Sequence, residues 1–275
     1  NKRLYIMSNE ATIQHSTHGH ETGAHDSHEH HEHAHHEHKQ HFFTKYVFSQ
    51  DHKIISRQFL VTGIFWAIAG GLMSVFFRLQ LGFPEQTFSV LTKFLGEWAR
   101  GGKMDPEMYY GLVTIHGTVL VFFVLTGGLS GTFSNFLIPL QIGARDMASP
   151  FLNMLSFWFF AIASVVMFSS LFITTGPASG GWTSYPPLSA LKEASMGSGL
   201  GMDLWLASMA LFVVSSLLGG LNYIVTVLNM RTKGMSMTRM PLTIWAFLFT
   251  AVLGVLSFPV LLSAAVLLLF DRHAG

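Results

Sequence analysis

The sequence predicts an all-α membrane protein with five transmembrane helices. Half of the 275 residues are apolar and only 11% are Asp, Glu, Lys or Arg, whereas about 25% is usual in a soluble domain. The mean hydropathy is positive, at +0.42. Five segments without a charged side chain run from 20 to 45 residues, and about 20 apolar residues are enough to cross the hydrocarbon core of a bilayer.

These five segments set the positions of the predicted helices. Each can hold one crossing, so we expect helices near residues 56–80, 106–141, 150–174, 202–230 and 240–270. The second segment is longer than one crossing requires, and its Gly127, Gly128, Gly131 and Pro139 predict a bent or overlong helix. Glycines and prolines across residues 176–187 predict an irregular loop after the third helix.

The composition excludes several classes of protein. A net charge of +1 offers no basic surface for nucleic acid. The absence of cysteine excludes disulfides, thiolate metal sites and a cysteine nucleophile. The first apolar segment also starts too late in the chain for a cleavable signal peptide.

Lysine and arginine predict the orientation of the helices. From Lys39 onward, eight of these residues fall on the side that carries the N-terminus and six on the other, and the eight lie in much shorter connections. Short loops rich in Lys and Arg stay in the cytoplasm. We therefore expect a multi-pass protein of the cell inner membrane with a cytoplasmic N-terminus.

A histidine-rich tract occupies residues 1–40. Twelve of the 15 histidines fall between His15 and His41, with almost no apolar residues to bury, so we expect a disordered cytoplasmic tail. Such a tract either binds Zn, Cu or Ni loosely or is only a solvated tail with incidental metal affinity. Residues 1–6 precede Met7, a natural start, and are interpreted as non-native.

His116 is the one histidine inside a predicted helix, because His52 and His273 fall at the interfaces. It lies nine residues after Glu107, at a depth of about 14 Å. An ionisable residue there indicates a functional site, although a core histidine bonded to a neighbouring helix is the alternative. A neutral imidazole in an apolar wall suits haem iron, whereas a small hydrated ion would need further polar ligands.

Arg78 and Tyr109 are expected near His116. Arg78 ends the first predicted helix on the same side of the membrane, and Tyr109 lies seven residues before His116 on the same helix face. Both could bind polar substituents of a buried cofactor. The alternative for Arg78 is a charge that extends to the interface.

A second set of polar residues lies toward the cytoplasmic side. Asp146 occupies the short loop after the second helix, and amides and hydroxyls follow behind it. Such groups hold ordered water, which predicts a proton path; interhelical hydrogen bonds are the alternative. The set comprises Asn135, Asn153, Ser156, Ser215, Asn222, Thr226 and Asn229.

Several long motifs resemble one family. Tyr109–Trp158 contains HGTVLVFFVLTGGLSGTFSNFLIPLQIGARDMASP and is similar to the second and third helices of haem–copper oxidase subunit I. This is the catalytic subunit of cytochrome c oxidase and its quinol-oxidising relatives. Arg78–Leu81, Gly181–Ser189, Ser215–Ser236 and Trp245–His273 resemble later motifs in the same order. The resemblance covers residues 41–275 and implies the first five helices of a twelve-helix bundle.

The resemblance also implies roles for individual residues. His116 matches the axial ligand of the low-spin haem, a haem a. Arg78, Tyr109 and Ser74 match residues that contact this haem, while Trp182 and Tyr185 match an outer loop near the propionates. The implied proton pathway starts at Asp146 and continues through Asn135, Asn153, Ser156, Ser215, Ser216 and Asn222.

For the whole enzyme, the resemblance implies a proton-pumping terminal respiratory oxidase. Electrons from cytochrome c or a quinol would pass through the low-spin haem to a centre of a second haem and copper, where oxygen becomes water. Subunits II and III would be partners. The copper ligands are expected beyond Gly275, so we interpret the chain as part of a longer protein and expect it to be inactive alone.

Three substitutions depart from the family pattern. Arg145 replaces a proline directly before Asp146, Phe59 stands where many relatives have tyrosine, and Gln80 replaces an acid. Arg145 and Phe59 fall at the predicted proton path, whereas none of the three replaces the predicted haem ligand. Two other functions stay open: a multi-span metal-ion transporter with a histidine-rich tail, and a scaffold subunit without a cofactor.

Overall fold

The computed structural model describes residues 42–274, and the predicted histidine-rich tail lies outside them. These residues form helices, turns and loops without a β-strand. Five helices are long and apolar enough to cross a membrane, which confirms the predicted fold class. Spans 1 to 5 are His52–Gly82, Pro106–Ile142, Pro150–Phe172, Leu200–Asn229 and Leu242–Ala274.

The spans pack in chain order into a bundle. Span 1 packs along span 2, span 3 along span 4, and span 4 against span 5. Span 1 begins earlier than predicted because Asp51 caps it, accepting a 2.7 Å hydrogen bond from the Lys53 amide. We call the end at which span 1 finishes the His116 end, and the opposite end the Asp146 end.

Aromatic side chains fill the centre of the bundle. The rings of Phe123 and Phe160 lie 5.8 Å apart, and those of Phe123 and Phe212 lie 5.4 Å apart. All three side chains are completely buried. Span 5 differs, because apolar side chains such as Leu256 and Val260 are mostly exposed. That face suits lipid or a further helix.

Span 2 contains a wide helical segment. Val119–Leu129 is π-helical and lies within a helix that is otherwise continuous over 37 residues. Here the chain approaches span 1 so closely that a Cβ on Gly128 would lie 2.9 Å from the Gly63 Cα. The predicted irregularity of this helix is therefore a widened helical segment, of the kind often found at functional sites.

The connection between spans 1 and 2 contains two short helices that the sequence analysis did not predict. They are the α-helix Ser89–Leu95 and the 3-10 helical segment Gly96–Gly102. Gly101 and Gly102 adopt φ of +69° and +82°, a left-handed conformation that favours glycine. Leu91 is fully buried and attaches this connection to the bundle.

The connection between spans 3 and 4 is irregular, and one buried arginine fixes it. The Arg272 guanidinium donates hydrogen bonds to the backbone carbonyls of Ser189, Ser198 and Gly199. Its Nε also lies 2.6 Å from a carboxylate oxygen of Asp203. Span 5 thereby holds the loop that covers the His116 end.

Candidate cofactor site and polar pathway

The hydrogen bond of His116 identifies its free ring nitrogen. Nδ1 lies 2.8 Å from the carbonyl oxygen of Gly70 in span 1. A carbonyl can only accept, so Nδ1 carries the proton and Nε2 carries the lone pair. Nε2 makes no hydrogen bond with residues 42–274. Metal-binding histidines commonly show this pattern, with the second nitrogen bonded to a carbonyl.

Neighbouring aromatic rings fix the orientation of the His116 ring. Phe77 meets it edge to face, with ring centroids 5.4 Å apart and planes at 80°. The Tyr109 ring also packs against Phe77, with ring centroids 5.9 Å apart. Tyr109 and His116, which share a face of span 2 by their spacing, therefore both pack against Phe77.

Span 1 presents small and basic residues on a face beside His116. Gly71, Ser74 and Arg78 follow one another at spacings of three and four, so they share a face. A Cβ added to Gly71 would meet no atom within 4 Å. Arg78 is exposed and has no hydrogen bond or ion pair with the described residues. A flat apolar group with acidic substituents fits this face, because guanidinium pairs well with carboxylate.

The loop after span 3 brings Trp182 to span 2 but leaves Tyr185 outside. The Gly181 amide donates a 3.0 Å hydrogen bond to the Thr114 hydroxyl, two residues before His116. The Trp182 ring then lies 6.2 Å from that of Phe122. Tyr185 is 70% exposed, and its hydroxyl makes no hydrogen bond with the described residues.

Asp146 pairs with a histidine at the opposite end of the bundle. Its Oδ1 lies 3.2 Å from Nδ1 of His52 and accepts a 2.7 Å hydrogen bond from the Met147 amide. The His52 side chain is only 5% exposed, whereas that of Asp146 is 34% exposed. Nε2 of His52 is buried without a partner. Sequence reasoning placed His52 at an interface and missed this pair.

Arg145 and Phe59, the two departures from the family pattern near the predicted pathway, do not disturb the contact between His52 and Asp146. Arg145 is exposed and makes no hydrogen bond or ion pair with the described residues, so His52 is the basic group beside Asp146. Phe59 is buried, and its ring lies 5.2 Å from that of Phe157. It packs as a core side chain where a tyrosine hydroxyl would add a polar group.

Two buried amides above Asp146 have unused hydrogen-bonding groups. Asn135 donates to the Gly131 carbonyl at 2.7 Å and to the Tyr223 hydroxyl at 3.1 Å, but its Oδ1 has no partner. Both polar side-chain atoms of Asn153 also lack a partner. Each side chain is 0% exposed. Because an unsatisfied buried group is costly, these amides are suitable sites for ordered water.

Hydroxyls continue the polar line between spans 3 and 4. Ser156 donates to the Asn153 carbonyl at 2.7 Å, and Ser215 donates to the Ser156 carbonyl at 2.6 Å. Both residues are buried. Their oxygens keep lone pairs that can accept from water. Ser216 lies beside them, half-buried, without a hydrogen bond of its side chain to the described residues.

Asn222 and Thr226 hold the loop that carries Asp146. The Asn222 amide accepts from the Ser149 backbone N–H at 2.9 Å and donates to the Ser149 carbonyl at 3.1 Å. Thr226 accepts from the Ala148 amide at 2.9 Å. Through these contacts Asn222 positions the loop. The sequence analysis predicted only that Asn222 lines the pathway and holds water.

The family described as Cytochrome C and Quinol oxidase polypeptide I matches residues 54–275. The chain belongs to this family. It is 42% identical over 232 residues to the alternative cytochrome c oxidase subunit 1 of Bradyrhizobium diazoefficiens, covering 84% of this chain and 37% of that protein. It is 38% identical to the cytochrome c oxidase subunit 1 of Thermostichus vulcanus, and the match covers 84% of this chain and 38% of that protein. The quinol oxidase subunit 1 of Bacillus spizizenii is 35% identical, and the match covers 84% of this chain and 33% of that protein.

Membership of this oxidase polypeptide I family, together with five apolar spans, makes the chain an integral membrane protein. The chain spans 37% of the length of its Bradyrhizobium relative. Residues 42–274 contain no group of three or more His, Asp or Glu side chains that could hold a metal ion. The match to the oxidase polypeptide I family favours an oxidase subunit over the alternative of a metal-ion transporter.

Proposed function

We propose that this chain supplies the low-spin haem site and the start of a proton pathway in a terminal respiratory oxidase. The observation that carries the proposal is the His116–Gly70 hydrogen bond, which leaves Nε2 of a ring in a membrane span available to iron. Membership of the oxidase family supports it.

His116 would bind the haem iron through Nε2, and Phe77 would keep the imidazole plane fixed. Arg78 would pair with an acidic substituent, with Tyr109 and Ser74 beside it and Trp182 and Tyr185 toward the propionates. A bound haem, a haem a in this proposal, supplies reversible one-electron transfer. The residues of the chain set its position and exclude water from one side.

Replacing His116 by alanine in the intact oxidase tests the haem site. We expect the low-spin haem absorbance to disappear and the haem-to-protein ratio to fall. His273→Ala is the matched control, since His273 is 51% exposed at the same end of the bundle. An unchanged spectrum in the His116 variant would refute the assignment.

Protons would enter at Asp146 and follow water held by the buried amides. Asn135 and Asn153 offer unpartnered polar atoms, and His52 would orient the Asp146 carboxylate through their 3.2 Å contact. The proposed pathway comprises Asp146, Asn135, Asn153, Ser156, Ser215, Ser216 and Asn222. In this pathway Asn222 would hold water, and its two hydrogen bonds to Ser149 would also position the loop that carries Asp146.

Asp146→Asn in the intact enzyme tests the pathway, because the amide keeps the shape but cannot release a proton. We expect oxygen consumption to fall about 100-fold, the lower end of the usual contribution of a general acid–base group, with an unchanged haem spectrum. Asp105→Asn, at the other end of the bundle, should leave turnover unchanged. Wild-type turnover in Asp146→Asn would contradict the pathway.

The whole enzyme would reduce oxygen to water and pump protons across the cell inner membrane, with the N-terminus of this chain in the cytoplasm. Its partners would be subunits II and III and an electron donor, either cytochrome c or a quinol. The haem–copper centre would be built by residues of the whole enzyme outside 42–274, as the oxidase proposal requires.

A further inference from the structure

One tyrosine of span 4 contacts the proposed proton pathway without belonging to it. The hydroxyl oxygen of Tyr223 accepts a 3.1 Å hydrogen bond from Nδ2 of Asn135, which is completely buried. The same nitrogen donates to the Gly131 carbonyl at 2.7 Å. Phe59 packs against this turn of span 2 as well, since a Cβ on Gly131 would lie 2.7 Å from a ring carbon of Phe59. Of these two aromatic side chains, only Tyr223 brings a hydroxyl to the pathway.

The hydrogen of the Tyr223 hydroxyl is left for another acceptor. An amide nitrogen only donates, so Asn135 uses the tyrosine oxygen and not its hydrogen. Ser134 is a further hydroxyl beside Tyr223, and its own hydrogen goes to the Ser130 carbonyl at 2.6 Å. Ser134 therefore offers one acceptor, on span 2 itself.

A second acceptor lies on span 3, across a space that Gly219 leaves inside the bundle. A Cβ on Gly219 would lie 3.6 Å from the hydroxyl oxygen of Tyr223 and 3.9 Å from that of Ser156. Gly219 is buried. Ser156 donates its hydrogen to the Asn153 carbonyl at 2.7 Å, so its oxygen can accept from a water. A buried water needs two or more polar partners, and the two hydroxyls supply them.

We propose that Tyr223 is a positioning residue of the proton pathway, because its hydroxyl binds the water that links Asn135 on span 2 to Ser156 on span 3. This role rests on the proposed pathway from Asp146. The hydrogen bonds run in one direction: Asn135 donates to Tyr223, Tyr223 donates to the water, and the water donates to Ser156. Tyr223 thereby connects the amide of span 2 to the hydroxyls between spans 3 and 4.

Tyr223→Phe in the intact oxidase removes the hydroxyl and keeps the ring. We expect oxygen consumption to fall about 2- to 12-fold, the effect of one net hydrogen bond, with an unchanged haem spectrum. The ratio of the rates in H₂O and D₂O should rise, because proton transfer through an interrupted water chain becomes the slower step. Tyr46→Phe is the matched control, since Tyr46 is 44% exposed, and it should keep both the rate and the ratio.

Gly219→Ala tests the water while both hydroxyls are retained. The added methyl group would fill the space beside Tyr223 and Ser156 at ordinary contact distances. We expect the same lower rate and the same raised ratio. Gly220→Ala is the control, because its Cβ would meet Val255 of span 5 at 3.3 Å and no hydroxyl. It changes packing and should keep the wild-type ratio.

Each of four results would overturn the proposal. A wild-type rate and ratio in Tyr223→Phe would exclude the hydroxyl, and a lower rate with an unchanged ratio would make Tyr223 a packing residue. A wild-type ratio in Gly219→Ala would exclude the water. A raised ratio in Ser134→Ala would assign the tyrosine hydrogen to Ser134 instead.

Asp146→Asn separates these outcomes from a failure of the proposed function. If Asp146→Asn slows turnover and Tyr223→Phe does not, the pathway stands and only the role of Tyr223 is wrong. If Asp146→Asn has wild-type turnover, the pathway itself is wrong. The haem spectrum of each variant serves as the measure of folding.

Discussion

Replacing Asn222 by alanine should loosen the loop that carries Asp146. The mutation removes two hydrogen bonds to the backbone of Ser149, at 2.9 and 3.1 Å. Each is worth about 0.5–1.5 kcal/mol net, so losing both destabilises the closed loop by about 1–3 kcal/mol. A tenfold change in an equilibrium corresponds to about 1.4 kcal/mol, so local opening should increase about 5- to 140-fold.

Hydrogen exchange measured by mass spectrometry is the assay, read on peptides that cover residues 143–150. We expect faster exchange there, with unchanged exchange in the core around Phe160, and slower oxygen consumption. Asn229→Ala is the control, because Asn229 is an exposed asparagine seven residues later on the same span. If the two variants exchange alike, the positioning role of Asn222 is wrong.

Two further predictions concern stability. Arg272→Gln removes one partner of a buried ion pair that also holds three backbone carbonyls, so the free energy of unfolding should fall by about 3–5 kcal/mol. The thermal unfolding midpoint should fall with it. Arg239→Gln, at an exposed site, is the control and should leave the midpoint unchanged. Gly128→Ala places a Cβ 2.9 Å from the Gly63 backbone and should cost about 1–3 kcal/mol through overpacking. Gly82→Ala, with open space around its Cβ, should leave the midpoint within about 1 kcal/mol of wild type; equal midpoints for the two alanine variants would refute the close approach.

The spans were predictable because bilayer thickness sets a minimum length for an uncharged helix. The shared face of Tyr109 and His116 followed from helical spacing in the same way. The helix Ser89–Leu95 was missed, since seven residues are too few to show a clear apolar period. Local sequence patterns therefore predict the long helices but not the short ones.

The pairs between distant residues could not be predicted. His52 and Asp146 are separated by 94 positions, and only the packing of span 1 against the loop after span 2 brings them together. Asn222 was correctly placed in a buried polar stripe, yet its partner is a backbone segment that the sequence does not single out. The residue types were informative, whereas their partners required the structure.

Magnetic circular dichroism of the intact oxidase carrying His116→Ala tests the central claim most directly, because this method distinguishes low-spin from high-spin haem. If Nε2 of His116 binds the iron, the low-spin signal should vanish while the second, high-spin haem keeps its own signal. A full low-spin signal in this variant, with normal haem content, would contradict the assignment of His116 and the function proposed from it.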